Sequence, residues 1–96
     1  MITIPIFKKA GPFAENKDVA KKIRLDTIVP ALEGRQNIII DFKGVDAATQ
    51  SFIHALISDL IRKNGVEVLD KISFKNCNEK VRKMIGIVVD YMQESG

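Results

Sequence analysis

Apolar residues recur along the chain with two rhythms, one of period two and one near 3.6. "ITIPIF" (residues 2–7) sets Ile2, Ile4 and Ile6 against Thr3 and Pro5, the alternation of a strand with one buried face. Pro5 has no N–H for a ladder, so this strand belongs at an edge, or Pro5 stands near its end. Gly11-Pro12 marks a turn. Asn16 is then a good N-cap, and Asp18 is favourable in the first turn of a helix. Val19, Ala20 and Ile23 share one helical face; Leu25, Ile28, Val29 and Leu32 share a different one. The phase changes near Asp26, and Pro30 removes a bond to the Asp26 carbonyl. The pattern therefore predicts a helix that kinks or splits, with Gly34 as the left-handed residue that ends it.

"NIIIDF" (residues 37–42) is a short continuous apolar run, which suits a strand of a parallel sheet covered on both faces. The clearest helix follows. Phe52, Ile53, Leu56, Ile57, Leu60 and Ile61 form one wide apolar stripe. Gln50, His54, Ser58, Asp59, Arg62 and Lys63 mostly take the other side, and Asn64-Gly65 ends the element. "GVEVLD" is ambiguous, and a short turn of helix suits it. "KISFKN" (residues 71–76) alternates, with Ile72 and Phe74 inward. Asn78 can cap a last helix running to about Met92, striped by Val81, Met84, Ile85, Val88 and Met92. The order β-α-β-α-β-α predicts an α/β fold: one small domain over residues 1–96, with helices packed on a mostly parallel central sheet. Three strands make a thin sheet, so a fourth is sought in residues 8–13 or 66–69.

Composition narrows the function classes. Ninety-six residues support one core and leave little room for a deep cavity. The net charge of +3 is far below the dense positive field of most nucleic-acid binders. A single cysteine, Cys77, excludes an internal disulfide and fits a reducing compartment. The N-terminus is too short and wrongly flanked for a signal peptide. The longest apolar run, residues 85–89, falls far short of the ~20 residues that span a bilayer. The expected location is cytoplasmic, away from membranes.

"NIIIDFKGVDAATQSFIHALISDLI" resembles the core of the STAS domains of bacterial anti-sigma-factor antagonists, most closely the branch described as a STAS-like domain of unknown function. In those proteins a buried strand ends in Asp, apolar, x, Gly, apolar, and a serine opens the second helix. Here the corresponding residues are Asp41, Phe42, Lys43, Gly44 and Val45, then Ser51-Phe52. "KISFKNCNEKVRKMI", a strand running into an Asn-led helix, extends the likeness to about residue 92. The resemblance implies a small cytoplasmic regulator that works by docking a kinase-like ATPase or another anti-sigma-type regulator, as a monomer or weak dimer. It further implies that the serine aligned with Ser51 is the phosphoacceptor. The antagonists commonly carry Asp-Ser-Ser-Gly there; this chain carries Thr49, Gln50, Ser51 and Phe52, so only the second serine is retained.

Asp46, Thr49, Gln50, Ser51 and His54 are therefore the expected partner-binding group. A phosphate at a helix N-terminus meets a partial positive charge and unpaired N–H groups, and it adds a charge of roughly −1.5 to −2. The simpler reading of Ser51, and the one the residues favour, is a plain N-cap, and Thr49 can take that duty instead. No catalytic residues, cofactor or metal are expected. His54, the only histidine, has no evident carboxylate to orient it. Cys77 reads as a small buried hydrophobe without a second ligand at metal spacing. Asp41 reads as a turn-stabilising acid rather than half of a cation site. Lys17, Lys21, Lys22 and Arg24 form one basic group and Lys80, Arg82 and Lys83 another. They motivate a second reading, a nucleic-acid-binding module, although aromatic content is low and no reading module is present. An enzyme ranks last.

Overall fold

The computed structural model describes residues 1–95. In chain order its elements are β1 (Ile2–Pro5), α1 (Ile6–Ala10), β2 (Phe13–Ala14), α2 (Lys17–Ile23), a π-helical turn (Arg24–Ile28) and α3 (Val29–Glu33), followed by β3 (Ile38–Asp41), β4 (Ala47–Ala48), α4 (Gln50–Asn64), a 3₁₀ segment (Val66–Lys71), β5 (Ile72–Lys75) and α5 (Glu79–Ser95). Three strands form a parallel sheet in the order β1-β3-β5. Parallel neighbours need crossover connections, and the α2-to-α3 stretch and α4 supply them.

The register stacks Ile2, Ile38 and Ile72 in one rung and Ile4, Ile40 and Phe74 two rungs on, all on the same face. That face is the core: Ile4, Ile38 and Ile40 are almost wholly buried, together with Phe42, Phe52, Leu56 and Val88. Fully burying each such side chain contributes roughly 1.5–3 kcal/mol. The opposite face departs from the expected two-sided cover. Its middle rung is Thr3, Ile39 and Ser73, of which Thr3 and Ser73 are exposed and Ile39 half-buried. The apolar run of β3 reflects its central place more than a second layer of helices.

Other expectations need correction. The first strand stops at Pro5, where the chain turns into α1, and Ile6 is buried from that helix instead. Pro5 does stand on an edge strand. No fourth strand joins the main sheet among the described residues. Residues 8–10 and 66–69 are helical, while Phe13–Ala14 pairs in parallel with Ala47–Ala48 as a separate two-stranded sheet. Gly34 is not left-handed (φ −79°); the next residue, Arg35, takes that conformation at φ 60°. The split predicted near Asp26 is the π-helical turn, which precedes Pro30. Asn16 and Asn78 cap α2 and α5 as expected: Asn16 Oδ1 accepts from the Asp18 N–H at 2.9 Å and Asn78 Oδ1 from the Val81 N–H at 2.9 Å. Among the described residues no helix is long and apolar enough to cross a membrane.

Candidate functional site

The turn between β3 and α4 is tied down at each step. Asp41 Oδ1 accepts from the Lys43 N–H and from Asn76 Nδ2, both at 2.9 Å. These bonds hold the Asp41 carboxyl below its ordinary range, the Asn76 bond contributing most. Gly44 turns the chain at φ 87°, and a Cβ there would approach the Phe7 ring at 3.0 Å, so both backbone and space favour glycine. The Asp46 N–H donates to the Pro12 carbonyl at 2.7 Å and the Thr49 N–H to the Ala14 carbonyl at 2.9 Å. Asn78 Nδ2 donates to the Asp46 carbonyl at 2.7 Å. One asparagine thus caps α5 and clamps the approach to α4.

Thr49 is the N-cap of α4. Its backbone is extended (φ −80°, ψ 159°), and its Oγ1 accepts from the Phe52 N–H at 3.1 Å. Ser51 therefore stands one residue inside the first turn. It is exposed, and its Oγ lies 3.2 Å from Thr49 Oγ1. Gln50 is exposed beside it, whereas Phe52 and Ile53 are wholly buried. A shallow depression is lined by Lys17, Gln50, Ser51, His54 and Ala55. Four of the five expected docking residues, Thr49, Gln50, Ser51 and His54, lie on this first turn and a half. Asp46 is exposed on the preceding turn, which its backbone helps to fix.

His54 is half-buried. Its Nδ1 is 3.3 Å from the Ser58 hydroxyl, and its ring lies 6.4 Å from that of Tyr91 on α5. Ser58 was expected on the polar side but is buried, because α4 packs against both α2 and α5 and hides a wide arc. Cys77 is half-buried rather than fully buried, and its thiol is pushed up chiefly by that burial. No group of three metal-ligating side chains occurs among the described residues.

Arg24 does not belong to the basic face. It is buried, with Nη1 2.6 Å from the Ala55 carbonyl and Nη2 3.2 Å from Asp59, which also pairs with Arg62 at 2.8 Å. Arg24 stands four residues past the buried Ala20, at the border of the buried face, where a long side chain reaches α4. Phe13, which no functional expectation included, projects from β2 beside Thr49 with 61% of its surface exposed. A strand of two residues gives too short an alternation to announce it.

A family profile described as a STAS-like domain of unknown function matches residues 19–82, two thirds of the chain. No curated protein and no solved structure matches. The matched span runs from within α2 through β3, the clamped turn and α4 into the first turn of α5, while Pro12, Ala14 and Lys17 of the site precede it. The chain belongs to the STAS-like domain family.

Proposed function

We propose that this domain is a non-enzymatic regulatory module that docks a protein partner, of the kinase-like ATPase or anti-sigma-regulator kind, through the start of α4. Phosphorylation of Ser51 is the switch. The observation that carries the reading is the division of work between two neighbouring hydroxyls. Thr49 closes the helix end, so Ser51 has no capping duty; it is exposed, with its Oγ 3.2 Å from the Thr49 hydroxyl. A phosphate there meets the positive end of a fifteen-residue helix, with Lys17 lining the same depression. The domain can hold the modified side chain without refolding, while a partner packed over the helix start loses its fit to a strongly hydrated dianion. Family membership supports the regulatory reading; the partner and the phosphate are the proposal.

The test is affinity capture from the native host, with intact mass recorded before and after phosphatase. Hydrogen exchange is then mapped on the purified complex. The expected result is one phosphate on Ser51 in the unbound fraction, and protection over Asp46–Ala55 in the complex. Phosphate on another residue, together with protection away from α4's first turn, would reject the reading.

A further inference from the structure

We infer that the docking surface continues from Ser51 onto Phe13 and the lysines of α2, and that it takes an acidic protein segment carrying an apolar side chain. This rests on the docking function proposed above and names the chemistry of the partner's contact.

Two observations carry it. The first is charge placement. Residues 8–22 hold five lysines and two acids, and of the lysines Lys9 and Lys22 line a separate depression with Asp26. Lys17 and Lys21 are exposed one turn apart on α2, and Lys17 reaches the depression that holds Ser51. The second is Phe13. Its ring is exposed, yet its backbone is held by pairing with β4 in the register Phe13↔Ala47. Beside it runs a shallow trough floored by Ala14, Ala47 and Ala48 and rimmed by Glu15 and Thr49. An exposed aromatic on a fixed strand, next to small side chains that leave room for an incoming group, is the geometry of an interface anchor. Lys17 and Lys21, exposed on α2 next in the chain, supply the positive charge that selects an acidic partner and speeds its encounter.

A protein segment suits this surface better than nucleic acid. Arg24, the one arginine of α2 and its π-helical extension, is buried against Ala55 and Asp59 and gives no fork to bases or phosphates.

The probe is a fluorescein-labelled peptide of glutamates and aspartates with two central leucines. Its controls are the same peptide with lysines for the acids, single-stranded oligothymidine, and phosphatidylglycerol vesicles. The wild-type chain should bind the acidic peptide at low salt, with amide shifts at Phe13, Lys17 and Ser51. Phe13→Ala, and separately Lys17→Glu with Lys21→Glu, should each weaken binding by about tenfold or more. Circular dichroism melts of the same samples report folding, and Phe13→Gln serves if Phe13→Ala melts early. Tighter binding of the oligonucleotide or the vesicles, shifts centred elsewhere, or unchanged affinity in the Phe13 variant would overturn the inference. The two proposals fail separately. If Ser51→Asp leaves the natural partner bound while the peptide results hold, the switch falls and the acidic-segment surface stands. If Phe13→Ala binds both peptide and partner normally while Ser51→Asp releases the partner, the surface falls and the switch stands.

Discussion

Two hydroxyls two positions apart have different work, and each assignment is measurable. Thr49→Ala removes the cap of α4 and should cost about 1 kcal/mol in urea denaturation. Ser51→Ala should change stability by less than about 0.5 kcal/mol, since its hydroxyl is exposed and caps nothing. Reversed magnitudes would return the cap to Ser51. Asp41 gives a pH-dependent counterpart. Bonds from Asn76 and the Lys43 N–H lower its pKa on folding. A carboxyl lowered in this way contributes stability that is present above its unfolded pKa and is lost as pH falls through the folded value. Wild-type stability should therefore carry an acid limb below about pH 4 that Asp41→Asn lacks; identical limbs would show that the bonds do not persist in solution. The residue types at the helix start are plain in the sequence. Which hydroxyl caps is decided by the extended backbone at Thr49, and no spacing rule separates the two candidates.

At the scale of elements, the buried Arg24 joins the π-helical turn to α4. Arg24→Leu should destabilise by about 1–3 kcal/mol, because it removes a guanidinium bonded to a helix carbonyl and to Asp59. Asp59 keeps Arg62 in that variant, which limits the loss. Arg62→Ala should move the unfolding midpoint little, within about 0.5 kcal/mol, since that pair is exposed on the arginine side. Equal effects from the two arginines would contradict this division. The phase change near Asp26 is legible as a break in the 3.6 rhythm. The inward turn of Arg24 is not, because a charged residue at the border of a helical stripe reads as solvated unless its partner on a distant helix is known. Ser58 illustrates the same limit, hidden by a second packed helix. Phe7 shows the converse: the strand alternation holds only to Pro5, and the ring comes to rest on Gly44.

At the scale of the molecule, the parallel order β1-β3-β5 follows from alternating strand and helix patterns, and that much was legible. The half-covered face with Thr3, Ile39 and Ser73 was less so, since β3 alone reads as buried on both sides. The β2-β4 pair brings Phe13 next to Thr49 across more than thirty residues of chain, a long-range pairing that local periodicity does not encode. The consequence is that Phe13 stands beside Thr49, while Lys17 shares a depression with the exposed Ser51, whose hydroxyl lies 3.2 Å from that of Thr49. Charge added at Ser51 should therefore act on a partner without acting on the fold. The most direct measurement is a pair of binding isotherms with the purified partner, set beside the melting curves of the same proteins. The account predicts that Ser51→Asp weakens binding about tenfold or more while its melting temperature stays with that of the wild type and Ser51→Ala binds normally. Wild-type affinity for both variants, or a weakened Ser51→Asp that also melts early, would contradict it.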